Sequence, residues 1–170
     1  MFQINDTIFY PSGGVCVIAD IRVVPFEGLP DRNYYIIHPI ERPQETFFVP
    51  VDSDKFKLRH LIGREDALNL MNNVTEIAPI EETNLKVLKE RIVESMAQYE
   101  CVEWFRVIRT VHHHREALAG RSKRISDTER AYSDTAKRYL YAELSAVLEI
   151  PVTEVEECIT RHAELLQDPT

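Results

Sequence analysis

The chain has 170 residues, 44% of them hydrophobic and 28% charged, with a net charge of −8. That balance suits one ordinary domain or two small ones and excludes a disordered chain. The acid excess argues against indiscriminate nucleic-acid binding. No apolar run approaches the ~18 residues of a membrane span, and the start has no secretion signal, so a cytoplasmic protein is expected.

Thr7-Ile8-Phe9-Tyr10 is β-branched or aromatic and predicts a strand, which Pro11 should end. Gly13-Gly14 supplies a tight reversal, and Val15 to Val24 predicts a second, longer strand. The turn formers of Pro25 to Asn33 lead to a third strand, Tyr34 to His38. Pro39 to Gln44 turns the chain again, into a fourth strand from Glu45 to Val49 that Pro50 ends. Four short strands with such turns suggest a small antiparallel, SH3-like or Tudor-like β-barrel. Leu58 to Ile62 reads as a short closing strand or turn, and Arg64 to Met71 as a helix. Asn72 to Glu82 reads as a linker.

The remainder predicts helices, and the fold class is α+β. Thr83 or Asn84 can cap a helix to about Gln98, with Leu85, Leu88, Ile92 and Met96 stepping by three and four. A second helix, from about Val102 to Leu118, ends at Gly120. Ser126-x-x-Glu129 is a capping box that opens a third, with Ala131, Ala136, Leu140, Leu144 and Leu148 on its buried face. Pro151 interrupts it, and Thr153-x-x-Glu156 opens a last short helix towards Leu166.

Charge is uneven along this half. From Trp104 to Arg138 nine basic residues face four acids, whereas from Tyr139 onward seven acids face Arg161 alone. A basic middle beside an acidic tail is a directional surface. Cys16, Cys101 and Cys158 are isolated, which favours buried thiols over a disulfide framework or a zinc site. His112-His113-His114 invites a metal or catalytic reading. On a helix, however, neighbours point about 100° apart and cannot converge on one ion, and HExxH is absent. No nucleophile elbow, P-loop or paired-carboxylate motif occurs, so no catalytic residue, metal or cofactor is expected. A metal-dependent hydrolase is the least favoured class.

Asn5-Asp6-Thr7-Ile8-Phe9-Tyr10-Pro11-Ser12-Gly13-Gly14-Val15-Cys16-Val17-Ile18 resembles the opening of the CarD family of bacterial transcription regulators. The amino-terminal domain of that family is shared with the transcription-repair coupling factor. Asn5 and Cys16 stand where the family pattern has glycine. Tyr34 to Ile37, Phe48 to Asp52, Thr83-Asn84-Leu85, Val107-Ile108-Arg109, Ile125 to Arg130 and Ala136 to Leu144 continue the likeness over roughly residues 1–148. It implies an RNA polymerase-interacting β domain over residues 1–75 and a helical DNA-binding domain over residues 83–167. The first grips the polymerase β subunit through an exposed strand edge. The second touches promoter DNA weakly, in the minor groove, while tethered, and stabilises the open complex.

Position by position, the resemblance puts the polymerase interface at Val24 and Phe48, where some relatives carry basic residues. It puts DNA contacts at Leu85, Lys86, Lys89 and Arg130. Strand alternation turns one of Phe47 and Phe48 outward, and Phe48 could equally be a core residue. The family's minor-groove tryptophan falls on Leu85. Its phase with Leu88 and Ile92 favours core packing, with a weaker wedge as the alternative. Trp104, the sole tryptophan, reads as a core anchor. Arg91 reads as solvated, and Arg121, Lys123 and Arg124 as a loop cluster that either meets phosphate or keeps the loop soluble. The rival reading of the whole chain is a protein-interaction module without DNA contact, favoured by Leu85 and the acidic tail.

Overall fold

The computed structural model describes residues 1–28, 31–121 and 123–164. The chain is α+β and divides into two compact units, Met1–Leu61 and Ile62–Thr170.

The first unit is a five-stranded antiparallel sheet. Strands β1 (Thr7–Tyr10), β2 (Gly14–Val24), β3 (Arg32–Pro39), β4 (Phe47–Pro50) and β5 (Arg59–His60) take the order β4-β3-β2-β1-β5. The expected barrel does not close. Its two edge strands, β4 and β5, are not paired with each other. A short 3-10 turn at Asp54–Phe56 and left-handed Lys57 (φ 47°) deliver only Arg59 and His60 to the sheet, and these pair with β1. Two residues are too few to carry a closing ladder. The fourth strand begins at Phe47 rather than Glu45. Arg42 and Glu45 bind each other at 2.9 Å and hold the turn open that much longer.

One face of the sheet carries the core: Ile8, Tyr10, Cys16, Ile18, Tyr35, Ile37 and Val49, flanked by Phe2, Ile21, Phe47, Val51, Phe56 and Leu58. Each fully buried aliphatic or aromatic side chain here is worth roughly 1.5–3 kcal/mol relative to exposure. Ile18 and Ile21 are three apart, so strict alternation would put them on opposite faces. The register shift between Ile18 and Asp20 sets both over the core, opposite Ile37 and Tyr35.

The second unit contains α1 (Arg64–Asn72), α2 (Leu85–Met96), α3 (Cys101–Ala119), α4 (Asp127–Leu148) and α5 (Val152–Glu164). Trp104, Val107 and Val111 of α3 and Ala136, Leu140 and Leu144 of α4 are buried, and the two helices pack together. Trp104 is fully buried with its ring centroid 5.3 Å from that of Tyr139, as befits an anchor. Ala131 is exposed. Ser133 joins the buried face instead, because 133, 136, 140 and 144 step by three and four whereas 131 to 136 does not. Asn84 is the α2 cap, accepting from the Lys86 and Val87 N–H groups, and the Ser126–Glu129 capping box is formed. The box expected at Thr153 is not used. The chain is already helical at Val152, the Pro151 carbonyl accepting from Glu154 and Val155. The expected end near Leu166 lies outside the described residues.

Helix α1 packs on α4 within the helical unit, and its Ala67, Leu70 and Met71 are buried. The stretch read as a linker is fastened there too. Arg109 Nη1 donates to the carbonyls of Val74, Thr75 and Ile77 at 3.2, 2.7 and 2.6 Å. Ile80 N–H donates to Thr110 Oγ1 at 2.8 Å. Fully buried Glu143 accepts from Ile62 N–H at 2.8 Å, which secures the first residue of the unit. Each such bond to a charged group contributes about 1.5–3 kcal/mol when buried and less where water reaches it. The compact division therefore falls after Leu61, ahead of Asn72–Glu82.

Candidate functional site

On the β unit the outer sheet face, opposite the core, is the candidate surface. Strand alternation and register put Arg22, Val24, Tyr34, Ile36 and Phe48 on it. Phe47 turns inward, its ring 5.3 Å from Tyr10, and Phe48 turns outward and is 40% exposed. The two-way alternation holds, and the core reading of Phe48 does not. Val24 is half-buried at the end of β2, opposite Arg32, whereas Phe48 lies opposite Ile36. Four residues along β3 and two strands across separate them by ~13 Å and ~10 Å, so they share a face without touching.

The aromatic partner that meets Phe48 is Phe26. It lies beyond β2, in a segment read only as turn formers. Its ring stands edge-on to Phe48 at 5.6 Å and to Tyr34 at 5.1 Å. The available signal was a large aromatic ring set among turn residues, where nothing local buries it. Charged groups border the cluster: Arg32 lies 5.4 Å over the Tyr34 ring and 3.9 Å from Asp52, and Arg22 pairs with Asp20 at 3.2 Å. Strand β4 pairs with β3 alone among the described residues and ends on Pro50, which suits an edge.

On the helical unit, Leu85, Lys86 and Lys89 are exposed over the first turns of α2. Leu85 is 57% exposed, which overturns its core packing. It is the first helical residue after the Asn84 cap. Its phase matches Leu88 and Ile92, but at the helix start it is left open to solvent. Arg130, in the first turn of α4, is exposed and 3.8 Å from Asp127. His114 connects the two helix starts. Its Nδ1 lies 2.5 Å from Glu129 Oε1 in α4, and it lines a groove with Thr83 and Leu88 at the start of α2. Burial would raise the Glu129 carboxyl. Hydrogen bonds from the Ser126 hydroxyl and N–H and from His114, with the His114 charge, outweigh that and hold it below its ordinary value.

His112 and His114 take different partners, as the helical geometry requires. His112 meets Glu116 and Arg115, and His114 meets Glu129. Among the described residues no three His, Cys, Asp or Glu side chains gather to hold a metal, and no helix is long and apolar enough to cross a membrane. The cysteines are thiols, with Cys16 and Cys101 buried and Cys158 half-buried. Burial pushes the Cys16 thiol up to about 12, which makes it unreactive.

The sheet is open, and among the described residues its β4 edge pairs with β3 alone. Residues 2–62 match the family model of the CarD-like/TRCF RID domain, so the amino-terminal unit is a CarD-like RNA polymerase-interacting domain. The helical unit lies beyond that match. No curated protein matches the chain.

Proposed function

We propose that the protein is a CarD-like transcription regulator. Its β unit binds the RNA polymerase β subunit along the β4 edge and the outer face that carries Val24 and Phe48. Its helical unit meets promoter DNA, with Lys86, Lys89 and Arg130 on phosphates and Leu85 against the minor groove, and so stabilises the open complex. It acts in the cytoplasm, needs no cofactor and catalyses no reaction. The family match over residues 2–62 carries this reading. The exposure of Leu85, Lys86 and Lys89 beside one another supports its DNA half.

The test is the lifetime of open promoter complexes after competitor challenge. The full chain should lengthen it. The Lys86→Glu/Lys89→Glu/Arg130→Glu variant should bind polymerase yet lose the effect. If that variant acts like the unmodified chain, the second reading gains: a polymerase-bound module whose helices meet protein. The acidic flank Glu81-Glu82 beside α2 favours that alternative.

A further inference from the structure

We infer that Phe26 and Phe48 form a paired aromatic anchor for an uncharged, apolar strand of RNA polymerase, so that docking relies on apolar burial rather than ion pairs. This inference rests on the polymerase-binding reading of the β unit. Three observations carry it. Both rings are large and solvent-facing, at 36% and 40% exposure, although they stack edge-on at 5.6 Å. Beneath them the outer face is already apolar, because Tyr34 and Ile36 are buried. Arg32 is engaged with Tyr34 and Asp52, and Arg22 with Asp20.

A strand added along β4 continues the sheet, and its side chains alternate just as those of β4 do. The residue it sets beside Phe48 on the outer face meets an aromatic wall built by Phe48 and Phe26. A charged side chain there would lose water against the two rings, whereas an apolar one would complete a desolvated centre. Paired rings at the middle of a patch with charged groups at its margin are the usual anatomy of a hot spot. Phe26 reaches this position from outside the sheet. Its loss should therefore weaken docking without disturbing the strand ladder.

Bacterial RNA polymerase core enzyme is the probe, with binding of the full chain measured across a salt series. Affinity should change by less than about twofold between ~50 and ~500 mM salt, since apolar contacts are not screened. Phe26→Ala and Phe48→Ala should each weaken binding about tenfold, as central aromatic anchors do. Phe26→Leu and Phe48→Leu should retain most of it. A steep fall with salt, or a Phe26→Ala chain that is folded by circular dichroism and binds like the unmodified protein, overturns the aromatic anchor while leaving polymerase binding intact. Failure of the unmodified chain to bind core enzyme at any salt overturns the polymerase reading itself. The salt series needs no variant, so a misfolded substitution does not shelter the inference.

Discussion

Gly13 has no room for a side chain. A Cβ there would sit 2.7 Å from Cys16 Sγ, 3.2 Å from the Phe47 ring and 3.3 Å from the Tyr10 ring. Gly14 beside it needs the left-handed region, at φ +74°. The two glycines thus serve different ends, one close approach and the other backbone conformation. Gly13→Ala should lower stability by about 1–3 kcal/mol in urea unfolding, the usual cost of overpacking. Adding Cys16→Gly should recover part of that loss, because it removes the nearest clashing atom. Purely additive losses would sink the steric explanation. A separate turn before β1 explains an apparent departure in the sequence. Asn5 stands where the resembled pattern has glycine, and it sits at φ 74°, a region asparagine tolerates better than most residues. The residue type was legible as a substitution. The reason it is tolerated is a backbone angle.

At the scale of elements, the start of α4 concentrates the most consequential polar chemistry. Ser126 and Glu129 close the capping box, and the second carboxylate oxygen of Glu129 takes His114 of α3. One side chain therefore caps a helix and ties it to its neighbour. The capping box was readable from spacing alone, whereas the His114 contact joins residues fifteen apart and depends on how α3 packs. Glu129 is held below its ordinary value near 4.5. A lowered folded-state value adds stability above the unfolded value, and that stability is lost as pH falls through the folded one. Glu129→Gln should be about 1 kcal/mol less stable than the unmodified chain near neutrality, the scale of a lost cap. The gap should close as pH drops below about 4.5. Chemical denaturation at a series of pH values checks this, and a gap that stays constant into strong acid would refute it.

For the whole molecule, the decisive quantity is the distribution of charge between functions. A chain of net charge −8 with three candidate phosphate contacts cannot hold duplex DNA tightly by itself. In the proposed function, tethering on polymerase would supply effective concentration instead, and specificity would come from where polymerase sits. Binding of the chain alone to promoter duplex should be weak, with log affinity falling against log salt at a slope of about −3, as three neutralised phosphates require. Fluorescence anisotropy on labelled duplex measures it. Tight, sequence-specific binding by the chain alone would contradict tethering. If the proposed apolar docking and ionic DNA contact both hold, parallel salt series on polymerase and on duplex should diverge, because salt acts on the second far more than on the first.

Local chemistry determined much of this protein. Glycine and proline placed the turns, alternation sent Phe48 outward against Phe47, and Asn84 and Ser126 announced their helices, since each effect acts within a few residues of chain. The ordered motifs of residues 2–62 were enough to identify the β unit. Only the tertiary structure decided the rest. The sheet stays open because β5 brings two residues. Leu85, first in its helix, is exposed although its periodicity matched the core. Phe26 joins the outer face because its ring packs on Tyr34 of β3 and Phe48 of β4. The expected linker is bound to α3 by Arg109 and Thr110. Each of these depends on contacts between residues distant in sequence, and periodicity, propensity and spacing carry no information about such contacts.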